Sequence, residues 1–304
     1  MLRRLRIQDG KLVESDQTNG QVHVYITPTP EEKRYLIDVL KLDEHTLQSA
    51  MDPDELSRLE YEPEHVALIF KRPKNYSSED NFIFRVASTG VFLFRDRLVI
   101  VMAEEAPLFE GRQFAKLGGL PDILLKLVYR SIFHFEEHLK VINMISSQLE
   151  QEVNLSMENK HLLSLFTLEK SLVYYLNAIN SNGVLIEKLK NQAAKIGFTP
   201  ENLEFLDDII IENNQCREQA NIYSNVLSSL MDARASIVSN NLNTLMKTLN
   251  LITIGIMLPT FVVSAFSMNV EFPLKYHVNA FWFILAFAFS SAIGLAFWFR
   301  HKRW

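Results

Sequence analysis

Two uncharged apolar segments near the C-terminal end constrain the fold of this chain more than any other feature. Residues 248–270 and 278–299 contain no Asp, Glu, Lys or Arg. An apolar helix needs about 20 residues to cross the hydrocarbon core of a bilayer. The two segments therefore predict two C-terminal transmembrane helices, and they exclude a protein that is water-soluble throughout.

Charge is distributed unevenly between the membrane segments and the rest of the chain. The whole chain has a net charge of −5, but residues 248–304 contain four basic residues and only one acidic residue. Residues 1–247 therefore carry a net charge of −8. A nucleic-acid binder needs a basic face, so we expect no nucleic-acid partner. The only cysteine, Cys216, excludes an internal disulfide and a four-cysteine zinc site.

The flanking charges predict how the two helices cross the membrane. The tail at 300–304 reads Arg-His-Lys-Arg-Trp, whereas the loop between the helices contains only Glu271 and Lys275 as charged residues. Basic residues favour the cytoplasmic side. We therefore expect a multi-pass protein of the cell membrane, in contact with lipid, with both termini in the cytoplasm and the short loop outside.

The N-terminal part predicts an α/β domain. Alternating or β-rich apolar runs predict strands at 22–26, 66–70, 82–86, 91–94 and 98–102. Helix-start signals occur at Pro30, with Thr29 as the cap, and at residues 52–55. From Pro121 onward the pattern is helical, with breaks expected at Gly183, Gly197 and Pro200.

A long segment without helix breakers leads into the first apolar segment. Residues 201–254 contain neither Gly nor Pro, which predicts a helical stalk continuous with the first transmembrane helix. The predicted fold class is an α/β cytoplasmic domain with a long helical stalk and two transmembrane helices. The predicted divisions are an α/β domain at 1–120, its helical part at 121–200, a stalk at 201–247, transmembrane helix 1 at 248–269, an outer loop at 270–279, transmembrane helix 2 at 280–299 and a basic tail at 300–304.

A stripe of polar and flexible side chains follows the first transmembrane helix. Its members are spaced three or four residues apart, and lie within about 120° of one helix face. They are Asn243, Met246, Leu249, Thr253, Met257, Thr260, Ser264 and Ser267. Such a stripe can simply pack helix against helix. It can also line a pore, and this requires several copies of the chain around an axis because one helix cannot enclose a channel.

The end of this stripe carries a family resemblance. Ser267-Met268-Asn269, just before the outer loop, resembles the Gly-Met-Asn signature of the CorA magnesium-channel family. The resemblance extends over the stalk, both apolar helices and the basic tail. It implies a homopentameric divalent-cation channel with a cytoplasmic α/β funnel, in which the first transmembrane helix lines the pore and magnesium is both the transported and the regulatory ion.

The resemblance also implies a role for each member of the stripe. Ser267, Met268 and Asn269 would form the selectivity filter, with Asn269 as the outer ring that binds a hydrated cation. Met246, Leu249 and Met257 would be apolar constrictions, and the remaining pore-lining positions would be Asn243, Thr253, Thr260 and Ser264. Glu271 would concentrate cations in the outer loop, although an ordinary solvated loop charge explains it equally well.

Acidic residues would provide the regulatory metal site that the resemblance implies. Asp232 and Asp208 occupy the matching stalk positions, and Asp52 or Asp54 would stand in for a Glu-Asp pair that this chain replaces with Ala50-Met51. A stalk acid can also be an ordinary solvated charge. Serine at 267, where the family has glycine, bears on strict magnesium selectivity, because glycine permits backbone conformations that serine disfavours.

The leading hypothesis is magnesium uptake gated by cytoplasmic magnesium, with no enzymatic activity. Cobalt, nickel or zinc is an alternative transported ion. A membrane-tethered scaffold or signalling protein is an alternative of another class. A zinc peptidase is a further one, because His134, Glu137 and His138 match an H-x-x-E-H spacing.

Overall fold

The computed structural model describes residues 1–15, 20–77, 81–155, 159–268 and 278–302. The chain divides into two units, Met1–Met231 and Asp232–Trp304. The strands are β1 Leu2–Gln8, β2 Lys11–Glu14, β3 Val22–Ile26, β4 Arg58–Tyr61, β5 His65–Pro73, β6 Val86–Phe94 and β7 Leu98–Met102. The helices are α1 Pro30–Asp38, α2 Glu44–Ser49, α3 Leu120–Leu155, α4 Asn159–Asn191, α5 Ala193–Ile196, α6 Pro200–Phe266 and α7 Ala280–His301, with a 3₁₀ turn at Arg112–Ala115.

The described strands form one mixed sheet in the order β2-β1-β3-β7-β6-β5-β4. Strands β3 and β7 pair in parallel, with Val22 opposite Leu98, and the other neighbouring pairs are antiparallel. Successive side chains of a strand point to opposite faces. In β7 this places Ile100 in one core and Val101 in the other, so the sheet is buried on both faces.

Helices cover the two faces of the sheet unequally. One core contains Leu36 of α1 and Leu47 of α2. The larger core combines the sheet with α3, α4 and the first part of α6, and includes the fully buried Val128, Tyr175 and Leu206. This packing makes the N-terminal part of α6 a component of the soluble unit.

Several predicted elements are confirmed. The predicted strands at 22–26 and 98–102 coincide with β3 and β7, and those at 66–70 and 91–94 lie inside β5 and β6. Helix α1 begins at Pro30, and Thr29 caps it: the Glu32 amide donates to Thr29 Oγ1 at 3.2 Å, and Glu32 Oε2 accepts from the Thr29 amide at 2.8 Å. Gly197 ends α5 with a φ of 80°.

The predicted strand at 82–86 is wrong, because β6 begins only at Val86. Asn81 and Phe82 have positive φ angles of 49° and 65°, which turn the chain before the strand. The Phe84 amide then donates to Ser171 Oγ of α4 at 3.1 Å instead of to a neighbouring strand.

Two predicted helix boundaries are also wrong. Residues 52–55 form a turn after α2, not a helix start. Gly183 lies inside α4 and does not break it. A Cβ atom at Gly183 would lie 2.9 Å from Asn213 Nδ2 of α6, so this glycine permits the two helices to approach closely.

The second unit contains the end of α6 and all of α7. Both helices are long and apolar enough to cross a membrane. Helix α6 runs for 67 residues without interruption, and Pro259 is accommodated inside it. The prediction of a long helix leading into the first of two C-terminal apolar helices is therefore confirmed.

Candidate cation pathway and regulatory acids

The stripe predicted for the first apolar helix lies on one continuous helix. All eight members, from Asn243 to Ser267, belong to α6 or to the turn directly after it, and all are exposed in the single chain. Most other side chains in this part of α6 are exposed as well. The spacing of the polar groups, not their exposure, therefore distinguishes this face.

Both threonine hydroxyls of the stripe donate to the backbone of their own helix. Thr253 Oγ1 donates to the Leu249 carbonyl at 2.8 Å, and Thr260 Oγ1 donates to the Ile256 carbonyl at 2.7 Å. A hydroxyl has one donor and two acceptor lone pairs. These side chains therefore present oxygen acceptors outward, and such acceptors suit the water shell of a cation.

The outer part of the stripe also borders the second apolar helix. Thr260, Ser264 and Ser267 line a cavity of about 510 Å³ together with Leu285, Ala288 and Phe289 of α7. Ser267 Oγ donates to the Ser264 carbonyl at 2.8 Å, and Met268 is 62% exposed. Asn269 and Glu271 lie outside the described residues.

The predicted regulatory acids lie on two different elements. Asp52 and Asp54 are exposed in the turn after α2, where Asp52 Oδ1 accepts from the Asp54 amide at 2.9 Å. Asp208 and Asp232 are exposed on α6. Among the described residues of a single chain, no group of three His, Cys, Asp or Glu side chains is arranged to hold a metal ion.

A buried lysine lies beneath the Asp52–Asp54 turn, and sequence reasoning missed it. Lys71 is 4% exposed, and its Nζ donates to the Pro53 carbonyl at 2.7 Å and to Ser88 Oγ at 2.9 Å. Ser88 Oγ in turn donates to the Asp52 carbonyl. Burial lowers the pKa of Lys71, while the negative charges of Asp52, Asp54 and Glu55 act to raise it. The available sequence signal was a lysine directly after the apolar run at 66–70.

The residues of the peptidase alternative have other partners. Glu137 Oε2 accepts from Arg130 at 3.0 Å, and His138 Nδ1 lies 2.6 Å from the Tyr175 hydroxyl. Burial lowers the pKa of His134 to about 3 and that of His138 to about 4. The contact with Tyr175 makes His138 part of the packing between α3 and α4, and the ring of His134 packs against that of His138.

A soluble α/β unit, a long helix and two apolar helices, the first with a polar stripe, are the parts of a two-span membrane protein. The chain matches the family described as CorA-like Mg2+ transporter protein over residues 22–302. It therefore belongs to that family, and it is a CorA-like transporter of divalent cations in a membrane.

Individual relatives agree with this assignment. The chain is 22% identical, over 288 residues, to the cobalt/magnesium transport protein CorA of Methanocaldococcus jannaschii, covering 91% of this chain and 89% of that protein.

Solved structures share the fold. The complete structure of the CorA magnesium transporter from M. jannaschii matches with a TM-score of 0.83 at 20% identity, covering 98% of this chain and 96% of that one. The full-length CmaX protein matches with a TM-score of 0.71 at 16% identity, covering 100% and 97%. The cytoplasmic domain of ZntB from Vibrio parahaemolyticus matches with a TM-score of 0.61 at 13% identity, covering 78% and 98%.

Proposed function

We propose that the chain forms a homopentameric channel that conducts magnesium into the cell and closes when cytoplasmic magnesium is high. The stripe on α6 carries this proposal, because its polar members repeat on one helix face through the full predicted span. Five copies around an axis would convert that stripe into rings lining a pore. The proposed topology places both termini in the cytoplasm, with the stalk at 201–247, the pore-lining helix at 248–269 and the outer loop at 270–279.

The proposed pathway alternates polar and apolar rings. Magnesium releases its water reluctantly, so a filter of neutral oxygens can bind the hydrated ion weakly enough to release it. Asn269, with Ser267 and Met268, would form that filter, and Glu271 would attract cations to the outer loop. Asn243, Thr253, Thr260 and Ser264 would be further polar rings, and Met246, Leu249 and Met257 would be constrictions that gate by excluding water.

The proposed regulatory site lies between neighbouring copies. Carboxylate oxygens suit magnesium, and the exposed acids of one described chain do not form a site by themselves. We therefore assign the site to Asp52 or Asp54 of one copy facing Asp232 of the next, with Asp208 as a second stalk acid. Magnesium bound there would hold the cytoplasmic units together and favour the closed state.

Ion flux into liposomes tests the proposed function. Purified chain with no magnesium inside the vesicle should conduct magnesium, and Asn269→Ala should lose flux or magnesium discrimination while the oligomer stays intact. Asn279→Ala is the matched control, because this asparagine precedes α7 and its side chain makes no capping hydrogen bond. The absence of any divalent flux would contradict the channel, and unchanged flux in Asn269→Ala would remove Asn269 from the filter.

Transport of cobalt, nickel or zinc is the second candidate, and the serine at position 267 favours it. A flux panel with magnesium, cobalt, nickel and zinc ranks the ions directly. If Ser267 relaxes selectivity, Ser267→Gly should raise the ratio of magnesium to cobalt flux, and Ser290→Gly in α7 should leave that ratio unchanged. A wild-type chain that conducts cobalt or zinc but no magnesium would establish the second candidate.

A further inference from the structure

The buried ammonium group of Lys71 lies directly behind the Asp52–Asp54 turn. Lys71 lies in β5 directly opposite Ser88 of β6, and its ammonium group contacts two neutral oxygens, the Pro53 carbonyl and Ser88 Oγ. No carboxylate among the described residues lies within ion-pair distance of its Nζ. The ammonium group of Lys71 is therefore buried directly behind a turn that exposes two carboxylates.

The acidic residues near Lys71 differ in whether a basic side chain pairs with their carboxylates. Glu55 is held by Arg58 at 3.5 Å and by Ser49 at 3.1 Å. Asp52 and Asp54 point to solvent, and neither carboxylate pairs with a basic side chain among the described residues. A buried ammonium is costly unless negative charge lies near it. The Asp52–Asp54 turn supplies this charge across its own backbone.

We infer that Lys71 is a built-in counter-ion of the Asp52–Asp54 turn. Its positive charge opposes the binding of a divalent cation at the turn and keeps the affinity of the turn for magnesium low. This inference rests on the proposed role of Asp52 and Asp54 in regulation. A cation at the turn is repelled by the Lys71 charge through a medium of low polarity, where screening by salt is weak. The effect places the closing concentration of magnesium above the value that the carboxylates alone would set.

Neutral replacement of Lys71 tests the inference in the full-length protein. Lys71→Gln removes the charge and keeps an N–H donor for the Pro53 carbonyl, and Lys71→Met removes both. We expect Lys71→Gln to lower, by about tenfold, the internal magnesium concentration that halves flux in liposomes. Calorimetric titration of the full chain with magnesium should show the same shift.

Two control variants separate charge from loss of structure. Lys74→Met removes a lysine that directly follows β5 and whose charge pairs with Glu104 at 3.0 Å, so the magnesium concentration that halves its flux should equal that of wild type. Ser88→Ala removes a hydrogen bond of the turn and keeps the charge, so it should not tighten magnesium binding. Damage to the turn should weaken magnesium binding, whereas loss of the counter-ion should strengthen it. The direction in which the half-closing magnesium concentration shifts therefore distinguishes the two.

The double variant Asp52→Asn/Asp54→Asn distinguishes a failure of the counter-ion inference from a failure of the proposed regulatory site. If this double variant loses magnesium closure and Lys71→Gln closes at lower magnesium than wild type, the counter-ion is supported. If the double variant loses closure but both Lys71 variants behave like Lys74→Met or close less readily, the counter-ion is overturned and the regulatory site stands. If the double variant closes normally, the regulatory site and the counter-ion are both overturned.

Discussion

The side chain of Asn182 bonds to both backbone polar groups of Lys71. Its Oδ1 accepts from the Lys71 amide at 2.8 Å, and its Nδ2 donates to the Lys71 carbonyl at 2.8 Å. Asn182 is completely buried in α4, and Oδ1 also accepts from Ser57 Oγ at 2.7 Å. One amide therefore joins α4, β5 and the segment that follows the Asp52–Asp54 turn.

Asn182→Ala should destabilise the soluble unit by about 3 kcal/mol, because it leaves the buried Lys71 amide and the Ser57 hydroxyl without their acceptor. The expected result is a clear fall in the midpoint of thermal unfolding of the detergent-solubilised chain. Asn180→Ala, at an exposed position on the same helix, is the matched control. Equal midpoints for the two variants would show that the Asn182 bonds do not contribute to stability.

Stability should fall on acidification because His138 is buried in its neutral form. Burial lowers the pKa of His138 from 6.5 to about 4. Between these pH values the unfolded chain therefore binds a proton that the folded chain does not. The stabilisation that neutral His138 contributes is present above pH 6.5 and is lost as the pH falls from 6.5 toward 4. The loss from this one group approaches about 3 kcal/mol.

Unfolding measured at pH 7 and pH 4.5 checks the role of His138. His138→Gln keeps a polar partner for Tyr175 and should lose less stability between the two values than wild type does. His45→Gln, at an exposed histidine of α2, should lose as much as wild type. An unchanged pH dependence in His138→Gln would contradict the assignment.

Two threonines on opposite faces of α6 test whether the stripe faces the ion. Thr253 and Thr248 are both exposed, and each hydroxyl donates to the carbonyl four residues earlier, at 2.8 Å and 2.9 Å. Thr253→Val should reduce magnesium flux several-fold, because it removes a ring of oxygen acceptors. Thr248→Val should leave the flux unchanged, and a reversed order would place the pore on the other face.

Reversing the charge of the stalk acid should desensitise the channel. Asp232→Lys replaces an exposed carboxylate with an ammonium that repels magnesium, so flux should persist at internal magnesium concentrations that close the wild-type channel. Glu204→Lys, at another exposed acid of α6, controls for the change in net charge. A magnesium dose response of Asp232→Lys that matches wild type would exclude Asp232 from the regulatory site.

Local signals in the sequence predicted much of the fold. The capped start of α1 and the apolar run of β7 needed no information about distant residues, and the two apolar helices followed from length and charge alone. The strand predicted from Phe82 to Val86 is wrong because the Phe84 amide donates to a side chain of α4 and not to a neighbouring strand. The helix start predicted at Asp52 is wrong because the carbonyls of Asp52 and Pro53 accept hydrogen bonds from the side chains of Ser88 and Lys71.

The candidate site was predictable to a smaller extent. Spacing alone identified the stripe from Asn243 to Ser267, because periodicity is a property of the sequence. Lys71 was missed because its function depends on Ser88 and Pro53, which only the sheet and the turn bring together. The roles of the stripe and of the acids stay predictions, since they depend on neighbouring copies of the chain.

The parallel pairing of β3 with β7 also sets an order of events during synthesis. Val22 leaves the ribosome long before its partner Leu98, whereas β5, β6 and β7 follow one another closely and can pair as successive hairpins. Contacts distant in sequence form slowly because a long loop must close first. The N-terminal strands should therefore wait for the later hairpins, and both should be in place before the ribosome releases the first hydrophobic helix to the insertion machinery.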